Sequence, residues 1–143
     1  MTKAMSERFI PSSTPPFSLA HKRVLIVEDE FLIADEIAYD FESYGAEVVG
    51  PISTVARAMD VIASGLLLDG AVIDIDLEDD KAFPLVDALR ACGVPCAFAT
   101  GYDLDGIPPA YRDIPFCQKP VSPSEIAQLL FPLTSSKAVP ELS

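Results

Sequence analysis

Short apolar runs alternate along the chain with stretches whose apolar residues return every three or four positions. Arg23 to Val27 is a nearly continuous run rich in β-branched residues, the pattern of a strand buried on both faces. From Phe31 to Tyr44, the residues Ile33, Ile37, Phe41 and Tyr44 recur at helical spacing, and Gly45 ends the segment. Glu47 to Gly50 predicts a second strand, and Thr54 to Ser64 a second helix with Val55, Met59 and Ile62 on one face. Gly65 and Gly70 bracket a turn before a third strand, Ala71 to Ile75. A third helix is expected from Lys81 to Ala91, with Phe83, Val86 and Leu89 roughly aligned. Pro95 to Ala99 and Ile114 to Gln118 are the fourth and fifth strands, and Pro115 puts the fifth at a sheet edge. A capping box opens the last helix, with Ser122 as N-cap, Pro123 at N1 and Glu125 at N3. Ile126, Leu129 and Leu130 supply its buried face.

Five strands alternating with helices argue for an α/β fold with a doubly wound parallel sheet. The regularity fails between Tyr102 and Asp113. Gly106, Pro108 and Pro109 there predict a short or irregular fourth helix. Residues 1–20, with Ser12-Ser13-Thr14-Pro15-Pro16 and no sustained period, are expected to be a flexible leader in which Phe17 or Leu19 touches the domain. Phe9, Ile10 and Phe17 also allow that leader to be a short partner-binding segment. Residues 21–132 form the expected domain and 133–143 a flexible tail.

The length of 143 residues suits one domain, and 50% hydrophobic against 22% charged residues suits a packed core. A formal charge of −12 opposes nucleic-acid binding, because a surface laid over phosphates needs cations. No apolar run approaches membrane-spanning length and nothing resembles a signal peptide, so a cytoplasmic protein with no membrane contact is expected. Cys92, Cys96 and Cys117 lie in or beside apolar runs and are expected to be buried free thiols.

The acidic residues change the picture from fold to chemistry. Val24 to Val27 runs straight into Glu28-Asp29-Glu30, and Ala71 to Ile73 runs into Asp74, with Asp76 two places on. Thr100 ends the fourth strand and Lys119 follows the fifth. In a parallel α/β sheet, ligands bind beyond the carboxyl ends of the strands, so these distant residues are predicted neighbours. Mg²⁺ favours hard oxygen ligands. Asp29 and Asp74 could bind it directly, Glu28 directly or through water, and Asp76 through its backbone carbonyl. Such a cluster repels itself, and Lys119 would offset part of the repulsion. A carboxylate beside the cation can take a phosphoryl group, with Lys119 and the Thr100 hydroxyl against the phosphoryl oxygens. Each feature alone has an ordinary reading: acids favourable to a helix N-terminus, a strand-end cap at Asp74, turns at Thr100-Gly101 and Lys119-Pro120. Their order, one at the end of each predicted strand, favours the phosphoryl pocket.

The stretches VLIVEDE (24–30), AVIDIDL (71–77), FATGY (98–102) and QKP (118–120) are similar to those of response-regulator receiver domains of bacterial two-component signalling. The similarity covers about residues 22–132. It implies a flavodoxin-like sheet of strand order 2-1-3-4-5, with Glu28 and Asp29 as the acidic pair and Asp74 as phosphoacceptor. It further implies Thr100 as switch hydroxyl, Lys119 as the family lysine followed by a cis-forming Pro120, and Phe116 as the aromatic switch residue. Tyr102 is a second candidate for the moving aromatic, and Phe116 could instead be a buried core residue. The Phe-Ala-Thr-Gly-Tyr string resembles a subgroup common in alphaproteobacteria. Glu28 stands where an aspartate is usual, and the segment holding Pro108 and Pro109 replaces most of a helix that often serves as a dimer or partner surface.

The implied function is a stand-alone phosphoacceptor response regulator. It takes its phosphoryl group from a sensor histidine kinase or histidine phosphotransfer protein in a Mg²⁺-dependent step, and acts through an unknown downstream protein. It would be a monomer or weak homodimer and not an enzyme, beyond self-phosphorylation from a donor and slow autodephosphorylation. A phosphate sink or relay fits the same residues, as does a pseudo-receiver that binds without phosphorylation. Asp74-Ile75-Asp76 also superficially offers the Asp-x-Asp pair of a haloacid-dehalogenase-type phosphohydrolase, although Leu77-Glu78 does not continue that motif.

Overall fold

The computed structural model describes residues 18–75, 82–101, 107–119 and 122–131. The tails 1–17 and 132–143, together with Asp76, Tyr102 and Pro120, lie outside the described residues. Five strands, β1 (Arg23–Val27), β2 (Glu47–Ile52), β3 (Gly70–Asp74), β4 (Cys96–Thr100) and β5 (Phe116–Gln118), form one parallel sheet in the order β2-β1-β3-β4-β5. Four helices, α1 (Phe31–Ser43), α2 (Val55–Ala63), α3 (Phe83–Ala91) and α4 (Pro123–Leu130), cover its two faces. This is the doubly wound sheet expected from the alternating pattern, in the flavodoxin-like order that the family resemblance implies.

The central strands β3 and β4 are buried along their whole length, which explains their uninterrupted apolar runs. Alternate strand residues feed two separate cores. Leu25, Val27, Ala71, Ile73 and Phe98 pack against α2 and α3. Val24, Ile26, Val72, Ala97 and Ala99 pack against α1 and α4. Leu19 is fully buried in the second core, and its backbone N–H donates to the Tyr44 carbonyl at 3.0 Å. Leu19 is one of the two leader residues expected to touch the domain.

One helical face differs from expectation. In α2 the buried residues are Val55 and Ala58, while Met59 is exposed. The alanine is fully buried on the core side, a position where its small side chain allows close approach. In α1 the expected face holds: Ile37 and Phe41 are buried with Ala34 and Ala38, and Ile33 and Tyr44 pack partly buried against the same core. Phe31, Leu32 and Tyr39 are left exposed.

Ser122 caps α4 by accepting from the Glu125 N–H at 3.4 Å. Glu125 Oε1 in turn accepts from the Cys117 thiol at 3.5 Å. Burial pushes the Cys96 thiol up to about 11, and burial also raises Cys117, so both are poor nucleophiles at neutral pH. Cys92 is exposed, which corrects the expectation that all three thiols are buried.

Between β4 and β5 the described chain makes one 3₁₀ turn, Pro109–Tyr111, in place of a full helix. That turn is tied to α3. The Tyr111 hydroxyl donates to Asp87 at 2.9 Å, and the Tyr111 ring stacks on Phe83 at 4.6 Å. Arg90 reaches Asp113 at 2.6 Å and the Ala110 carbonyl at 3.3 Å. The Arg90 hydrogen bond holds the exposed Asp113 carboxyl below its ordinary value.

Candidate functional site

The sheet register builds the site. β1 and β3 are neighbours with Val27 opposite Ile73, so the next residues, Glu28 and Asp74, emerge side by side at the carboxyl edge. The Glu28 N–H donates to the Ile52 carbonyl at 2.9 Å, which extends strand pairing one residue into the acidic run. Asp74 is the last residue of β3, opposite Ala99, and Thr100 follows as the buried end of β4. The Lys119 N–H donates to the Thr100 carbonyl at 2.7 Å, which fixes the lysine backbone to the end of β4.

Lys119 crosses the strand ends to reach the acids. Its Nζ lies 3.2 Å from Asp74 Oδ2, 3.2 Å from Glu28 Oε1 and 2.9 Å from Glu30 Oε1. The Glu28 and Asp74 side chains are 2% and 1% exposed, against 12% for Lys119 and 60% for Glu30. Burial works to lower the pKa of this ammonium. The hydrogen bond to Glu30 and the charges of Asp74 and Glu28 outweigh burial and hold it above its ordinary value. The lysine is therefore charged throughout the neutral range.

The oxygens of Glu28, Glu30 and Asp74 lie within 4.8 Å of one another, close enough to share a cation. Glu28 Oε1 is buried and accepts no hydrogen bond among the described residues, although the Lys119 ammonium stands beside it. Hard carboxylate oxygens, one of them buried without a hydrogen-bond donor, fit a small divalent cation. The structure thus brings Glu28, Asp74 and Lys119 together, with Thr100 at the adjoining strand end. Asp29 is half-buried beside them in the chain. Phe116 is exposed on the edge strand β5 and not a buried core aromatic. Asp76, Tyr102 and Pro120, expected in the metal site, the switch and the lysine turn, lie outside the described residues.

Glu30 is the residue that sequence reading missed. It occupies the N-cap of α1 but makes no side-chain cap, and its carboxylate turns instead to Lys119. Its backbone N–H donates to Glu28 Oε2 at 3.0 Å. The signal was present in the spacing, since residues two apart in extended chain point to the same side.

No protein-family model matches the chain. The sensory transduction protein LytT of Bacillus cereus is 31% identical over 112 residues, 76% of this chain and 45% of LytT. The chain therefore spans less than half the length of that relative. The solution structure of SdrG from Sphingomonas melonis Fr1 matches with 35% identity and a TM-score of 0.67, covering 80% of this chain and 96% of SdrG. The response regulator PhyR from Brucella abortus matches with 29% identity and a TM-score of 0.68, covering 84% of this chain and 52% of PhyR. Among the described residues no helix is long and apolar enough to cross a membrane. A doubly wound sheet with buried carboxylates around a lysine at its carboxyl edge, and near-complete overlap with SdrG, place this chain in the response-regulator receiver family.

Proposed function

We propose that this chain is a phosphoacceptor, and that Asp74 takes the phosphoryl group from a phosphohistidine of a sensor histidine kinase or histidine phosphotransfer protein. The observation that carries the reading is a 1% exposed carboxylate whose Oδ2 lies 3.2 Å from a charged lysine at the carboxyl edge of the sheet. An Asp74 oxygen attacks phosphorus and forms the new O–P bond. The N–P bond of the donor breaks, and its electron pair stays on the imidazole nitrogen. Lys119 donates a hydrogen bond to a phosphoryl oxygen, and Thr100 at the adjoining strand end offers its hydroxyl to the same group. Glu28, Asp29, Asp74 and the Asp76 carbonyl would hold Mg²⁺, which supplies positive charge against the phosphoryl oxygens.

The phosphoryl group ends on the protein, so the reading is of a switch and not of a turnover enzyme. Output passes by protein contact, or by onward phosphate traffic. SdrG has a BeF3-activated conformation, which supports the same chemistry here. Membership of the Phe-Ala-Thr-Gly-Tyr subgroup is part of this proposal and rests on residues 98–102.

The test is intact mass after incubation with acetyl phosphate or a phosphohistidine protein. The expected result is a gain of one phosphoryl group with Mg²⁺ and none with a chelator. No gain from either donor would sink the reading.

A protein donor is favoured by what lies next to the acids. Phe31 and Leu32 open α1 directly after Glu30 and are 74% and 80% exposed. Two neighbouring large apolar side chains left in water beside the site offer a protein partner apolar area to cover. Truncating both, Phe31→Ala with Leu32→Ala, should slow transfer from a phosphohistidine protein by roughly tenfold or more, the effect of losing about 1.4 kcal/mol of contact. Loading from acetyl phosphate should stay within about twofold of wild type. Equal slowing with both donors would remove this face from the donor contact.

A further inference from the structure

The Lys119 ammonium has three N–H donors, and three carboxylates surround it. Asp74 stays charged until the O–P bond forms, so an approaching phosphoryl oxygen competes for those donors and draws one from the carboxylate that withdraws most easily. The three are not equivalent. Glu28 and Asp74 are 2% and 1% exposed, and stripping either of its counter-ion leaves a buried charge uncompensated. Glu30 is 60% exposed, and its carboxylate can return to water for little cost, because exposed ion pairs are weak. Glu30 also gains nothing as a helix cap by staying, since its side chain makes no cap bond on α1.

We propose that Glu30 is the resting counter-ion of Lys119, which occupies one of the lysine's donors and yields its place to the incoming phosphoryl group. The inference rests on the phosphoacceptor reading. Glu30 acts in two ways: it occupies one lysine donor, and its negative charge opposes the approach of an anionic donor. Both effects slow the formation of the O–P bond on Asp74 as the donor's P–O or P–N bond breaks and its leaving group departs with the electron pair.

The experiment compares wild type with Glu30→Gln, an isosteric change at an exposed position. Loading from acetyl phosphate, read by intact mass against time, should be about two- to fivefold faster in E30Q at low salt, the equivalent of releasing an exposed ion pair. The advantage should shrink toward unity at about 1 M salt, where exposed charges are screened, a response that altered packing alone would not give. Glu30 stands within reach of the same cation as Glu28 and Asp74, so Mg²⁺ affinity is read beside loading by calorimetry and should stay within about threefold if the lysine is its partner. Loading that is unchanged or slower in E30Q overturns the proposal while leaving Asp74 as acceptor. A loss of about tenfold or more in Mg²⁺ affinity also overturns it, by making Glu30 a metal ligand. Wild type that takes no phosphoryl group sinks the phosphoacceptor reading and this inference together.

Discussion

Lys119→Met should lower the unfolding free energy by about 3–5 kcal/mol and the Tm by on the order of 10–20 °C. Two carboxylates stand within 3.2 Å of its Nζ, and both are almost wholly buried. Methionine fills similar volume, so packing around the stem survives and the loss is electrostatic. Breaking one partner out of a buried ionic cluster costs more than the cluster contributes, because the remaining charges stay in a poor solvent. The sign with pH follows from the raised pKa of the lysine. Its contribution is fully present below the unfolded lysine value of about 10.4 and is lost only as pH climbs through the higher folded value. The lysine's own contribution to the gap between wild type and variant should therefore hold constant from about pH 6 to 9. Two rescues identify the cause. Adding Glu28→Gln to K119M should recover much of the loss by removing one stranded charge. Saturating Mg²⁺ should do the same, by about 2.7 kcal/mol at one hundred times its dissociation constant. Thermal unfolding by circular dichroism reads each arm, and a K119M Tm within about 2 °C of wild type would show that the lysine does not balance the pocket.

How far this pocket was visible in the sequence depends on which interactions are local. The strand ends were visible, because a buried parallel strand is a short apolar run and its end is marked by the first charge. Asp74 and Glu28 needed only that pattern and the rule that ligands meet the carboxyl edge. Lys119 was found in the same way, from the far end of the domain. Glu30 was not, because its role is decided by a lysine 89 positions away and by a side chain declining to cap its own helix. The 3₁₀ turn that the described residues make between β4 and β5 was visible in Pro108 and Pro109. The bonds that hold the 3₁₀ turn were not, since Asp87 and Arg90 sit on α3 and meet Tyr111 and Asp113 only after folding. Met59 shows the limit of periodicity. Three- and four-residue spacings both suit a helix, and the buried place went to Ala58.

Asp74→Asn should abolish phosphoryl incorporation from acetyl phosphate and from a phosphohistidine protein alike, while leaving the fold intact. The amide has the shape of the carboxylate but no anionic oxygen to form the O–P bond. Its carbonyl can still accept from Lys119, and Glu28 and Glu30 keep the ammonium paired. One buried negative charge disappears without leaving a stranded cation, so the Tm should stay within a few degrees of wild type or rise, in contrast to K119M. The same loss of charge weakens the cation site, and Mg²⁺ affinity should fall by about tenfold or more. In wild type, Mg²⁺ should raise the Tm as a ligand bound to the folded state does, and in D74N that rise should shrink in step with the weaker binding. These three readings separate a lost acceptor from a lost fold. If D74N still gained one phosphoryl group with Mg²⁺, the acceptor would be another residue, and Asp74 would be left as a metal ligand and a counter-ion to Lys119.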